Sequence, residues 1–152
     1  MQDDEIKIKV VESIQEIKIF LKIQKGDGFK HSYYLTQARL RELFENREVF
    51  LKVVFGQKII GFVSFKYETK TRARLQFLSI LSKYQRTGVG KRLLERIVNI
   101  TKKRGVQLLY FISEEKAEGM GIFLEKFGFQ KAGFHKNRFG DNKHATFFNL
   151  KV

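Results

Sequence analysis

The stretch from Leu78 to Glu95, LSILSKYQRTGVGKRLLE, constrains the fold of this chain more than any other. An apolar run ends in a polar turn, two glycines one residue apart follow at Gly88 and Gly90, and apolar residues then recur at helical spacing. A strand, a loop and a helix N-terminus in that order make an anion site. The first N–H groups of a helix lack internal partners, the helix dipole places about half a positive charge there, and glycine lets the backbone approach an anion closely. Between Lys83 and Lys91 there is no carboxylate, while Lys83, Arg86 and Lys91 are cationic. The stretch therefore reads as a pyrophosphate cradle. A dinucleotide fingerprint would need glycine at position 93, where the chain has Leu93, and a P-loop would need Ser or Thr at position 92, where it has Arg92.

The flanking segments alternate in type. Ile6 to Val10 reads as a strand, and Ser13 as the N-cap of a helix carrying Ile14, Ile17 and Leu21 and ending at Gly26. Thr36 caps a second helix with Leu40, Leu43 and Phe44 on its buried side. Val49 to Phe55, the turn Gly56-Gln57 and Lys58 to Tyr67 read as a hairpin, in which Gly61 marks a bulge or a close backbone approach. Arg74 to Leu81 is the strand that delivers the chain into the glycine loop. The loop helix ends at Gly105, and Val106 to Ile112 is apolar enough for a central strand covered on both faces. A helix with Met120, Phe123, Leu124 and Phe127 ends at Gly128, and Phe129 to Lys136 with Ala145 to Val152 forms a last hairpin. The expected fold class is α/β, with a central mixed sheet of the α+β kind flanked by about four helices in one domain over residues 1–152.

Composition narrows the functional classes. The absence of cysteine removes disulfides, thiolate zinc sites and a cysteine nucleophile together, and three histidines without an acidic cluster argue against a metal site. No apolar run reaches the roughly 18 residues of a membrane span, and the acidic start Asp3-Asp4-Glu5 is unlike a signal peptide, so a cytoplasmic protein without a membrane partner is expected. The net charge of +14 draws anions, and residues 82 to 105 hold eight Lys or Arg against Glu95 alone. Coenzyme A and an acidic macromolecule such as RNA both fit that charge, as does a plain solvated helix face.

Gln85-x-x-Gly88-x-Gly90 resembles the Gln/Arg-x-x-Gly-x-Gly/Ala loop of the GNAT superfamily of acyl-CoA-dependent N-acetyltransferases. A second segment, Met120-Gly121-Ile122-Phe123-Leu124-Glu125-Lys126-Phe127-Gly128-Phe129, is similar to that family's Ala-x-x-Leu/Phe-Tyr-x-Lys-x-Gly-Phe at Phe123, Lys126, Phe127, Gly128 and Phe129. The order of elements matches the family along nearly the whole chain. The resemblance implies a GNAT-like acyl-CoA N-acyltransferase fold with acetyl-CoA as co-substrate, lying between the strand that ends at Leu81 and the strand Val106 to Ile112. It implies backbone pairing of the pantetheine arm at Leu78 and Ile80, and pyrophosphate contacts from Gln85, Arg86, Thr87, Gly88, Val89, Gly90 and Lys91. Phe123 and Lys126 would lie beside the adenosine end, and Tyr33 and Tyr34 would cover the acceptor.

The implied reaction is direct attack of a primary amine on the thioester, which needs a proton acceptor, a donor to the carbonyl oxygen and an acid for the thiolate. Here the chain departs from its relatives. The usual acid Tyr is Leu124, the usual base positions hold Arg74 and Ile112, and a frequent Asn is Ala117. The candidates for these roles are Glu68, Glu114, Tyr110 and His135, with His144 on the same hairpin. Three functions stay open: an N-acetyltransferase acting on a small-molecule or protein amine, a catalytically weak acyl-CoA-binding module, and an RNA-associated acetyltransferase or binding protein. A monomer and a homodimer are equally compatible with the sequence.

Overall fold

The computed structural model describes residues 6–16, 19, 36–46 and 48–152. Their elements are β1 (Ile6–Val10), a 3-10 turn (Ile14–Glu16), α1 (Gln37–Glu45), β2 (Val49–Phe55), β3 (Lys58–Tyr67), β4 (Arg72–Ile80), a second 3-10 turn (Ser82–Tyr84), α2 (Val89–Lys103), β5 (Leu108–Glu114), α3 (Glu118–Phe127), β6 (Gln130–His135) and β7 (Ala145–Lys151). The strands form one mixed seven-stranded sheet in the order β1-β2-β3-β4-β5-β7-β6. All neighbours are antiparallel except β4 and β5, which are parallel and connected through α2.

Local chemistry accounts for the boundaries. The hydroxyl of Thr36 accepts from the Arg39 N–H and opens α1, and Gly105, at φ +88°, ends the α2 segment. Ser13 Oγ accepts from the Gln15 N–H at the first 3-10 turn, but most of the helix expected from Ser13 to Gly26 lies outside the described residues. Gly61 combines both expectations made for it. The register of β2 against β3 skips Ile60, and a Cβ on Gly61 would come within 2.9 Å of the Ser79 carbonyl oxygen on β4.

The apolar faces divide between two clusters. The larger joins β3, β4 and β5 to α2 through Val63, Phe65, Leu75, Leu93, Leu94, Ile97 and Phe111, and it takes in Leu124 of α3. Each fully buried side chain of this kind stabilises the fold by about 1.5–3 kcal/mol. The smaller cluster lies on the opposite face, where Leu40 and Leu43 of α1 meet Phe50 and Phe62. It includes no described residue of β5. Of the central strand, Leu109, Phe111 and Ser113 are buried, whereas Leu108, Tyr110, Ile112 and Glu114 on the other face are half-buried. Among the described residues, both helices packed against β5 sit on one side.

Candidate active site between β4 and β5

The sheet opens where its two parallel strands part. Pairing between β4 and β5 runs from Arg72↔Leu108 to Leu75↔Phe111 and then stops. Beyond that point β4 continues through Gln76 to Ile80, held by β3 on its other edge, and β5 continues through Ile112 to Glu114, held by β7. About 17 Å of strand edge, five residues at the usual rise, is left without a neighbour inside the sheet. Unpaired backbone groups are costly away from water, and Leu78 and Ser79 are each only 5% exposed. Such an edge is complementary to an extended chain bearing amides, which can pair with it as an added strand does.

A bulge marks the apex of this opening. Ser64 faces Phe77 and Phe65 faces Leu75, so Gln76 is the extra residue of β4. Bulges re-aim side chains and backbone groups at sheet interruptions.

At the mouth, the loop after β4 is fixed by its own contacts. The Gln85 side-chain amide donates to the Ile80 carbonyl at 2.7 Å, the Gln85 N–H donates to Ser82, and the Thr87 hydroxyl donates to the Tyr84 carbonyl. Arg86 and Gly88 both have positive φ, and Gly88 is the N-cap of α2. The Arg92 N–H makes the first helical bond, to Gly88, so the N–H groups of Val89, Gly90 and Lys91 precede the intrahelical ladder. Lys83, Arg86 and Lys91 are exposed around them. Gly90 has a second reason to lack a side chain, because its Cβ would lie 2.9 Å from the ring of Phe123. Phe123 is thereby seated beneath the start of α2, and Lys126, one turn further along α3, is exposed. Pyrophosphate fits this loop: N–H groups that precede the helical ladder, a helix dipole and the cations Lys83, Arg86 and Lys91 converge there, the Lys91 ammonium also lying 4.0 Å from Glu95.

The candidate proton-transfer residues fall into two groups. Tyr110 donates to Glu68 Oε1 at 2.5 Å, and Arg72 lies 3.4 Å from Glu68 Oε2 and over the Tyr110 ring. This trio lies at the closed end of the opening, where Tyr110 pairs laterally with Arg74. Burial, reinforced by the hydrogen bond and the charge of Glu68, pushes the Tyr110 hydroxyl up to about 12. Glu114 stands four residues along β5, about 13 Å away, facing Ala145 of β7. His135 lies on β6 with Nδ1 3.3 Å from Arg138, and His144 Nδ1 accepts from the Asn137 N–H. Tyr33 and Tyr34 lie outside the described residues. Leu124, in the place of the family tyrosine, is fully buried in the larger cluster and offers no ionisable group.

Because its proton is held by Glu68 and bound tightly, Tyr110 is a poor acid. Tyr110→Phe is expected to change turnover by no more than about threefold, far below the roughly 10²–10⁴-fold contribution of a general acid. Steady-state rates of thiol release measure this directly.

Four polar residues that sequence reasoning passed over in this role meet beside the bulge. Glu48, just before β2, is 6% exposed and its Oε1 accepts from the Gln76 side-chain amide at 2.8 Å. Among the described residues, its Oε2, Ser64 Oγ and Arg74 Nε are buried with no well-formed hydrogen bond. Burial raises the Glu48 carboxyl above the ordinary carboxylate range, although Gln76, Ser64, Lys66 and Arg74 all favour its anion. The available signal was the presence of Ser64 and Gln76 inside otherwise apolar strands, since a buried polar side chain calls for a partner.

A family model described as the acetyltransferase (GNAT) family matches residues 14–129. A [ribosomal protein bS18]-alanine N-acetyltransferase of Haemophilus influenzae is 33% identical over 87 residues, 57% of this chain and 58% of that relative's length. The crystal structure of Ard1 from Thermoplasma volcanium matches with a TM-score of 0.88 at 19% identity, over 97% of this chain and 98% of that one. A GNAT family acetyltransferase from Elizabethkingia anophelis, solved with acetyl-CoA bound, matches with a TM-score of 0.79 at 15% identity, over 99% and 100% of the two chains. Identities that low speak for the fold alone. With its parted parallel strands, its glycine-capped loop helix and a family match across most of its length, the chain belongs to the GNAT acetyltransferase family.

Proposed function

We propose that this protein transfers the acetyl group of acetyl-CoA to a primary amine of a protein or small molecule by direct attack on the thioester. The observation that carries this reading is the parting of β4 from β5 after Leu75 and Phe111, with the N-terminus of α2 at its mouth. In this reading the pantetheine arm pairs along Leu78 to Ile80. The pyrophosphate takes N–H bonds from Arg86 through Lys91, while Gln85, whose own N–H and amide are engaged, shapes the loop. Phe123 buttresses Gly90, and Lys126 adds charge on the adenosine side. The solved Elizabethkingia relative holds acetyl-CoA, and the Haemophilus relative acetylates an alanine of a ribosomal protein, so a protein α-amine is the first acceptor to test.

The test is acetyl-CoA-dependent thiol release with an alanine-initiated hexapeptide, an internal-lysine peptide, spermidine and total tRNA. Release with one acceptor class is the expected result. Full burial of Leu124 favours a second reading, an acyl-CoA-binding module with little catalysis. Acetyl-CoA binding without release on any acceptor would select it. Failure to bind acetyl-CoA would remove both readings.

Charge at the mouth gives a graded check. Arg86→Glu combined with Lys91→Glu is expected to weaken acetyl-CoA binding about tenfold at low salt, since exposed ion pairs contribute up to about 1 kcal/mol each. The difference should shrink as salt rises. Titrations at two ionic strengths measure it.

A further inference from the structure

We propose that Glu48 is the proton acceptor for the incoming amine, set in place by Gln76 from the bulge at the apex of the β4–β5 opening. The assignment rests on the transfer reading above. Neither of the family's base positions can serve, since Arg74 is a cation and Ile112 an alkyl group. The chain nonetheless buries a carboxylate beside the place where the paired strands part.

Three features make this cluster a site for a further group. The first is position. Glu48 precedes β2, and its N–H donates to Leu43 at the end of α1, while Gln76 reaches it from two strands away. The hydrogen bond therefore spans β3 and ends on the one residue of β4 that the register skips, immediately after the last β4–β5 pair. The second is incompleteness. Among the described residues, neither Glu48 Oε2 nor Ser64 Oγ makes a well-formed hydrogen bond although both are buried, and buried polar atoms left so are places that a water or a ligand can complete. An ammonium group or a bridging water supplies what they lack, namely donors to a carboxylate oxygen and to a hydroxyl. The third is tuning. Desolvation lifts the carboxyl above its ordinary value, and Gln76, Ser64, Lys66 and Arg74 act in the opposite direction, favouring the anion. A carboxylate displaced in that direction is a better match for an amine proton than a solvated one.

The acceptor arrives as an ammonium ion, and one N–H proton passes to Glu48 Oε2 directly or through one water. The freed lone pair attacks the thioester carbonyl carbon, the C–N bond forms and the C–S bond breaks. The second N–H proton leaves with the departing thiolate as thiol. Glu48 then returns its proton to solvent. In this scheme Gln76 is a positioning residue.

The experiment pairs Glu48→Gln with Gln76→Ala. For the parent and both variants, acetyl-CoA affinity is measured by calorimetry, and kcat against pH is measured with the alanine-initiated hexapeptide, or with the acceptor of the panel that the parent turns over. Glu48→Gln keeps the shape and the bond to Gln76, and it should bind acetyl-CoA within about twofold of the parent. Its kcat should fall about 10²-fold or more, in the range of a lost general base. The parent's kcat should decline as pH drops through the raised Glu48 value, and that acidic limb should vanish in the variant. Gln76→Ala should keep the limb but move it.

Stability separates this role from a structural one. A carboxyl whose folded pKa is raised stabilises fully only below the unfolded value, and loses that contribution as pH rises through the folded value. Glu48→Gln should therefore melt no lower than the parent at neutral pH while being much slower. A parent that neither binds acetyl-CoA nor releases thiol overturns the transfer reading and this assignment with it. A parent that turns over normally, with Glu48→Gln retaining its kcat and its acidic limb, overturns the assignment alone.

Discussion

Gly88→Val is expected to weaken acetyl-CoA binding by at least about 100-fold while leaving a folded protein. Gly88 has φ +88° and ψ −2° at the N-cap of α2, a left-handed conformation that costs an L-residue about 1–2 kcal/mol and a β-branched one more. Nothing lies within 4 Å of a Cβ built there. The substitution therefore strains the loop without colliding with the core, and the melting temperature should fall by only about 3–8 °C. Binding is affected far more, because the N–H groups that follow Gly88 must all aim at one anion. Hydrogen bonds to a charged group contribute about 1.5–3 kcal/mol each, so misdirecting two of them exceeds the roughly 2.7 kcal/mol that a 100-fold loss represents. Calorimetric titration with acetyl-CoA checks this. Parental affinity with only a lowered melting temperature would reduce Gly88 to a turn residue and remove the loop from the binding site.

Gly61→Val should do the reverse, damaging stability first and binding as a consequence. A Cβ at this position would sit 2.9 Å from the Ser79 carbonyl oxygen and 3.1 Å from the Ile80 side chain. The obstructing oxygen belongs to the backbone of the strand that pairs with Gly61, so no rotamer change relieves the contact. Overpacking of this kind costs about 3 kcal/mol at the upper end of its usual range, equivalent to a fall of about 6–12 °C in melting temperature. Urea unfolding should show a lower midpoint with an unchanged slope. Because the displaced segment is the part of β4 that borders the opening, acetyl-CoA affinity should fall as well. An unchanged midpoint would mean that β3 and β4 are further apart at Gly61 than the register requires.

The two glycines show what was legible in the sequence. Gly88 could be read because everything it needs is local: the apolar run before it, the helical spacing after it and the absence of carboxylates between. The β2–β3 hairpin was readable to the residue for the same reason, since alternation and a Gly-Gln turn are nearest-neighbour signals. Long-range partnerships were not. Glu48 and Gln76 are 28 residues apart, and their meeting depends on a register shifted by bulges at Ile60 and Gln76. A bulge inverts which face the following side chains occupy, so alternation counted along β4 could not place Gln76. Tyr110 and Glu68, 42 residues apart, were each named as candidates, yet only the folded chain shows that they bind one another and so neutralise each other's usefulness. The central position of β5 was legible from its apolarity, and the sheet places it between β4 and β7.

The most direct measurement is amide hydrogen exchange of the full chain with and without acetyl-CoA. Slowed exchange concentrated at the N–H groups of Arg86 to Lys91 and along Leu78 to Ile80 is the expected result. Acetyl-CoA that leaves both segments unprotected, or that protects a different part of the sheet, would contradict the placement of the cofactor between β4 and β5.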